Sequence, residues 1–320
     1  MVLPRPPRLK LLPPEEAPPE LVLGSPWRAA FRAIPYLLWT LLLLPVQAVG
    51  VALGLGLAQR LPVLYHRACC RMLGMHVVTR GHKSRHHPTL FVANHSSYLD
   101  IMVLGSLIPG SFVAKAEIAG WPFFGTLAKL QRSVFVDRKP QNTHLQRDEM
   151  QKRLDAGENL ILFPEGTSDD GNTVEPFRSA LLSVAERRVG KAERPLTLQP
   201  VSIAYTRLNG VPLGYALRPL VAWYGDMDLA PHLGRFLGLG DVEVVVEFHE
   251  PVTIEAFGSR KALTDHCYRV VAGGVAAALA GRPQTVPARQ GTGFGGATGE
   301  APAALGAATT PDRLPSGARS

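Results

Sequence analysis

Cysteine is scarce in this chain. There are three in 320 residues, Cys69, Cys70 and Cys267, with no C-x-x-C pair and one left over. That excludes a disulfide framework and points to a reducing compartment. Charge is sparse too, at 19% of residues, and acids are in deficit: 26 Asp+Glu against 34 Lys+Arg, a formal charge of +8. A basic balance suits an anionic partner, whether nucleic acid, acidic lipid or a phosphorylated substrate. No G-x-S-x-G elbow occurs, which argues against a serine esterase. No internal repeat is found. The hydrophobic share of 46% belongs to a globular protein. It excludes a wholly disordered chain and a polytopic transporter, but not a single membrane segment.

Proline and glycine are plentiful, and they gather at the ends. Residues 1–26 hold eight prolines, too many for a helix, and read as a disordered arm. Residues 282–320 are rich in Gly, Ala, Pro and Thr and read as a disordered low-complexity tail. The tail contains Gly291-Thr-Gly-Phe-Gly-Gly296, a formal G-x-G-x-x-G, but no strand precedes it and no amphipathic helix follows, so a dinucleotide site is rejected.

Residues 27–74 form the expected membrane-embedded helical segment. Ile34–Ala58 is a run of 25 residues without a charge. As one helix it would be about 37 Å long, against about 30 Å for a bilayer core. A buried soluble helix can share this pattern. Pro45 either kinks one spanning helix or turns two half-helices back to the same side. Arg28 and Arg32 precede the run and Arg60, Arg67 and Arg71 follow it, so charge counting leaves the topology open.

Residues 75–281 carry the folded body. Thr89–Ala93, Ser111–Lys115, Ser133–Val136, Leu160–Phe163, Leu196–Ala204 and Asp241–Glu250 have strand character. Helical patterns cover Thr143–Ala156, the apolar positions from Phe177 to Val189, and Ser259–Ala280. The alternation predicts an α/β fold with a mixed sheet flanked by helices.

Two sites for chemistry follow strands. The first is Asn94-His95-Ser96-Ser97-Tyr98-Leu99-Asp100. If a helix starts at Ser96 or Ser97, His95 folds back over its first turn and Asp100 reaches the imidazole. The carboxylate then fixes the tautomer while the other nitrogen takes a proton. Ser97 to Asp100 also reads as a capping box, and the residues alone leave both readings open. The second is Phe163-Pro164-Glu165-Gly166-Thr167, an acid bracketed by Pro and Gly at a strand end, where α/β proteins place ligands.

Taken together these blocks resemble the glycerolipid acyltransferase family, also called the lysophospholipid or PlsC-like acyltransferases. His95 to Asp100 resembles its H-x-x-x-x-D block, and Phe163 to Thr167 its F-P-E-G-T block. Val113-Ala-Lys115-Ala-Glu117, Gly120 to Gly125 and Val134 to Arg138 are similar to its second block, and Gln199 to Ile203 to its fourth. The resemblance spans roughly residues 75–255. It implies acyl transfer from acyl-CoA or acyl-carrier protein, as co-substrate, to the hydroxyl of a lysolipid, with no metal and no other cofactor. It implies His95 as general base and Asp100 as its partner. Arg138 is implied to hold an acceptor phosphate, with Lys115 as a second positive charge. Glu165, Gly166 and Thr167 fall in the acceptor-binding block, and backbone amides near Gly166 are candidate oxyanion donors.

Two departures stand out. Ser168, followed by Asp169 and Asp170, replaces the arginine usual after F-P-E-G-T. Ser179 stands where glycine is common in the block that here reads Pro176-Phe177-Arg178-Ser179. The leading expectation is acylation of 1-acyl-glycerol 3-phosphate to phosphatidic acid, in phospholipid biosynthesis. The alternative keeps the chemistry on another lysolipid, such as lyso-ornithine lipid, because Ser168 and Trp223 to Asp228 are similar to bacterial proteins assigned that role. A non-catalytic basic membrane-binding module is a further alternative, against which His95, Asp100 and Glu165 argue. His82, His86 and His87 lack neighbouring carboxylates and read as part of a solvated basic loop, not a metal or nucleic-acid site. The expected location is the cytoplasmic face of the inner or cell membrane, held through residues 34–58 and facing an anionic lipid surface.

Overall fold

The computed structural model describes residues 23–136, 143–190 and 192–282. The tail from 283 onwards, most of the Pro-rich arm, and Arg138 lie outside these residues.

Helix α1 (Pro26–Ala52) starts where Ser25 accepts the Arg28 N–H and Pro26 takes the first position. It continues through Pro35 and Pro45. The chain reverses at Leu53–Gly56, with Gly54 at φ +63°, into α2 (Leu57–Met72). The uncharged run is therefore a hairpin, and its bend lies beyond Pro45. Gln47 Nε2 donates to the Ala58 carbonyl (3.0 Å) and Thr40 Oγ1 meets Tyr65 OH (3.0 Å), pinning the two helices antiparallel. Among the described residues, α1 alone is long and apolar enough to cross a membrane. One side stays bare: Trp27, Phe31, Ile34, Leu38 and Leu41 are exposed at spacings of three and four.

Arg32, expected at the open flank of the uncharged run, is drawn into the folded body instead. It is 9% exposed, and Nη1 donates to the carbonyls of Leu239 (2.8 Å) and Gly240 (3.2 Å) while Nη2 reaches Asp241 (3.1 Å). Gly74, at φ +73°, leaves room for the guanidinium that any Cβ would fill. One arginine thus ties α1 to two turns of the folded body.

That body is an eight-stranded mixed sheet. Its strands are β1 (Met75–Gly81), β2 (Thr89–Ala93), β3 (Ser111–Lys115), β4 (Val134–Val136), β5 (Leu160–Leu162), β8 (Thr197–Leu208), β9 (Val211–Pro212) and β10 (Val242–Phe248). The order is β1-β10-β8-β2-β5-β3-β4, with β9 hairpinned onto β8. β2, β3, β4, β5 and β8 run parallel; β10 is antiparallel to β8, and β1 is parallel to β10. β6 (Arg188–Val189) and β7 (Arg194–Pro195) make a separate small hairpin.

Alternation along β2 feeds both faces. Phe91 and Ala93 enter a core with α2, α3 (Leu99–Leu107) and α6 (Leu229–Gly238). Leu90 and Val92 enter another with α5 (Thr143–Asp155) and α7 (Arg260–Leu279). α4 (Phe124–Leu130) precedes β4. The three cysteines are free and buried. Where a helix was expected from Phe177 to Val189, there is a 3₁₀ segment (Ser179–Glu186) followed by β6. Phe177, Leu182, Val184, Ala185 and Val189 are still buried, although Ala180 is exposed, because an irregular segment pinned by Arg178 N–H to the Pro164 carbonyl (2.9 Å) can point most of them inward.

Arg32→Met is expected to strand two carbonyls and lower unfolding free energy by about 2–3 kcal/mol, measured by denaturant unfolding in detergent micelles. A change within about 0.5 kcal/mol would contradict the anchoring role.

Candidate active site

The parallel strands deliver their C-terminal ends to one place, as open α/β sheets do. β2 ends at Ala93, opposite Val201 of β8. One residue further, the Asn94 side chain takes over the strand's pairing: Nδ2 donates to the Ile203 carbonyl (3.0 Å) and Oδ1 accepts the Ile203 N–H (2.8 Å). This clamp lets the main chain leave the sheet at His95 without losing a buried partner.

His95 is held on two sides. Its N–H donates to Glu165 Oε1 (2.6 Å) and its carbonyl accepts the Asp169 N–H (3.0 Å). Its ring stacks on Phe163 at 4.2 Å between centroids and 17° between planes. Nδ1 lies 2.9 Å from Asp100 Oδ2. That oxygen also accepts the N–H groups of Ser96 (2.8 Å) and Ser97 (3.0 Å), while Oδ1 accepts Tyr205 OH (2.7 Å). Asp100 is fully buried. A carboxylate oxygen already taking two N–H donors is an acceptor, so Nδ1 carries the hydrogen and Nε2 is left with its lone pair. Burial and the Asp100 carboxylate push the Tyr205 phenol well above its usual value, so it remains a donor.

The helix opens at Leu99, two to three residues later than expected. Asp100 nevertheless accepts the Ser97 N–H while Ser97 Oγ accepts from Leu99 (3.3 Å). Capping and imidazole orientation, which the residues alone left as rivals, are both performed by one carboxylate.

Glu165 is 2% exposed, and its second oxygen accepts the Glu175 N–H (2.8 Å). The structure gives it an internal task, holding the His95 backbone. The Gly166 N–H is taken by the Phe163 carbonyl (3.2 Å), since φ +81° folds that turn back on itself, so this amide is not an available oxyanion donor. Thr167 is exposed. Lys115 ends β3 beside Val136 of β4. Tyr205 escaped the sequence reading because nothing local links position 205 to 100; only the register of β8 does.

Trp223, by contrast, already stood out in the sequence. Its N–H donates to the Ser96 carbonyl (2.8 Å), and its indole N–H to the Met227 carbonyl (2.8 Å). Tyr98 packs edge-on against it and meets His232 Nδ1 through its hydroxyl (3.1 Å). Behind His95 opens an apolar cavity of about 260 Å³ between the helical hairpin and α3–α4, lined by Leu44, Tyr98, Met102, Phe112, Trp121 and Leu127.

Elsewhere, Ser202 Oγ lies 2.7 Å from His249 Nε2, with Glu247 4.0 Å from Nδ1. This resembles a hydrolytic triad, but α7 seals it: a Cβ on Gly274 would overlap the serine oxygen. His87 of the basic loop bonds Asn159 (3.2 Å).

The family profile described as Acyltransferase matches residues 75–204. A lyso-ornithine lipid O-acyltransferase of Brucella abortus (strain 2308) is 43% identical over 247 residues, 76% of this chain and 92% of the relative. A 1-acyl-sn-glycerol-3-phosphate acyltransferase of Neisseria gonorrhoeae is 33% identical over 171 residues, 52% of this chain and 62% of the relative. The crystal structure of the 1-acyl-sn-glycerophosphate acyltransferase PlsC from Thermotoga maritima shares the fold, with a TM-score of 0.51 at 23% identity, over 76% of this chain and 96% of that one. The chain belongs to the acyltransferase family. It is an acyltransferase of lysolipids.

Burial and the nearby Asp169 raise the Glu165 carboxyl, and burial likewise raises Asp169, whose Oδ2 is buried with no hydrogen-bond partner. Both hold a proton to higher pH folded than unfolded, so stability falls as pH climbs from the ordinary carboxylate range through neutrality. Asp169→Asn is expected to raise Tm at pH 8 by several degrees, at about 2–4 °C per kcal/mol, and by less at pH 5. An equal offset at both pH values in thermal unfolding would contradict this electrostatic strain.

Proposed function

We propose that this enzyme acylates the hydroxyl of a lyso-ornithine lipid, taking the acyl group from acyl-CoA or acyl-carrier protein. The observation carrying the chemistry is the His95–Asp100 contact at the mouth of an apolar cavity. In the proposed reaction, His95 Nε2 takes the proton as the acceptor oxygen attacks the thioester carbonyl. The tetrahedral intermediate collapses, the carbon–sulfur bond breaks, and the imidazolium returns the proton to the leaving thiolate. Asp100 stabilises the imidazolium between these steps. No metal or redox group enters this scheme. The apolar cavity suits a fatty chain, and its walls come partly from the hairpin, so chain binding and membrane contact share one element.

Two observations favour the ornithine head group over the phosphate first expected. The relative of that name matches across 92% of its length. The loop after Phe163-Pro-Glu-Gly-Thr167 is acidic here, and a phosphate dianion is repelled by it. Arg138 and Lys115 remain the candidates for the phosphate reading.

The exposed apolar stripe of α1 and the hairpin tip suggest interfacial embedding, with Arg28, Arg60 and Arg71 exposed for anionic head groups. The free cysteines accord with a cytoplasmic-facing catalytic domain.

Purified full-length enzyme is assayed with both donors against lyso-ornithine lipid and 1-acyl-glycerol 3-phosphate, reading product mass. Ornithine lipid is the expected product. His95→Ala is expected to lower kcat by about 10²–10⁴-fold while the fold is retained, read by circular dichroism. Retention of more than about a tenth of kcat would refute the base assignment, and a preference for the phosphate acceptor would refute the head-group assignment.

A further inference from the structure

The loop beyond the F-P-E-G-T block is organised in a way the chemistry of acyl transfer does not require. Three carboxylates, Glu165, Asp169 and Asp170, lie within six positions, with Ser168 where the resemblance led us to expect arginine. Asp169 is 8% exposed and its Oδ2 is buried without a hydrogen-bond partner. Its Oδ1 accepts the Gly171 N–H (2.8 Å), and Asp170 Oδ1 accepts the Asn172 N–H (2.9 Å). The loop is thus bent twice, and Gly171, at φ +71°, sits beside Ser96, Ala222 and Arg218. Ser96 is the neighbour of the proposed base, so the loop packs beside the segment that carries His95.

Arg218 approaches from the other side, carried by the 3₁₀ turn Tyr215–Leu220 that leads to Trp223. Nη1 bonds Asn172 Oδ1 and Nη2 donates to the Leu213 carbonyl (3.2 Å). Burial lowers the Arg218 guanidinium and the Asp170 carboxylate opposes that shift, while burial and then Asp170 raise the Tyr224 phenol. Asp170 and Arg218 are both only half-buried. A carboxylate and a guanidinium stand on two segments that converge next to His95.

We infer that Asp170 and Arg218 form a zwitterion seat for the acceptor head group, Asp170 receiving an ammonium and Arg218 a carboxylate. This rests on the lyso-ornithine reading and names the side chains behind it. An ornithine joined to its fatty chain by an amide keeps one carboxylate and one ammonium, the two charges this pair complements. The same acids that disfavour a phosphate favour a cation.

The test compares kcat/KM for four acceptors: lyso-ornithine lipid, its norvaline analogue lacking the ammonium, its ornithine methyl ester lacking the carboxylate, and 1-acyl-glycerol 3-phosphate. The wild type is expected to prefer ornithine over norvaline by about 10- to 100-fold, the range for a hydrogen bond to a charged group. Asp170→Asn is expected to collapse that ratio, and Asp170→Glu to restore part of it. Arg218→Lys is expected to shrink the ornithine-to-ester ratio, because ammonium lacks the guanidinium fork. A wild type indifferent to the ammonium, or ratios unmoved by both substitutions, overturns the seat while leaving the acceptor reading intact. A wild type that prefers the phosphate acceptor overturns both.

Discussion

The structure depends on a buried carboxylate and the four donors it collects. Asp100 has no exposed surface, and an isolated charge there would cost several kcal/mol. Two loop amides, one imidazole and one phenol offset that cost. Each comes from a different constraint. The amides are available because the loop turns over Asp100 just before α3 opens at Leu99. The phenol arrives because β8 lies beside β2 in the register that also brings Ile203 to Asn94. The imidazole stays because Glu165 and Asp169 grip its backbone from the β5 loop. Three strands therefore converge on a single ring orientation, and the ring carries its free lone pair toward the cavity mouth.

The hairpin completes this site in a way a plain anchor would not. Its inner side supplies cavity wall, its outer side remains apolar and bare, and Arg32 bolts it to the turns at Gly74 and Leu239–Asp241. A lysolipid leaving a bilayer along such a surface need not cross water to reach His95. The flanks of the hairpin carry exposed Arg28, Arg60 and Arg71, while the acidic loop at 169–170 is tied to the His95 carbonyl through the Asp169 N–H (3.0 Å).

Much of this was legible in residue order. The strands at Thr89, Ser111 and Leu160 follow from short β-rich runs, and the His95–Asp100 contact from the need of a loop histidine to fold back over a helix start. The acidic departure at 168–170 was visible as soon as the block was recognised. What escaped was long-range. Tyr205 and Asn94 act through strand register, which no local pattern encodes. β1 was missed because Met75–Gly81 has little alternation and draws its stability from β10, some 170 positions away. Pro45 left a kinked spanning helix and a reversal equally open, yet the helix absorbs that proline and the chain turns where Gly54 and Gly56 flank Leu55. Glu165 looked like a substrate ligand because acids at strand ends often are, but its partners are backbone amides.

The claim at the centre is that Asp100 fixes His95 with its hydrogen on Nδ1 and leaves Nε2 free. Nitrogen-15 NMR of histidine-labelled enzyme, with His95 assigned by its loss in His95→Gln, reads the tautomer directly. The account requires the neutral ring to show a protonated Nδ1 and an unprotonated Nε2 in the wild type. A His95 ring protonated on Nε2 and bare on Nδ1 would contradict it, because a carboxylate oxygen already accepting two amides has no proton to give.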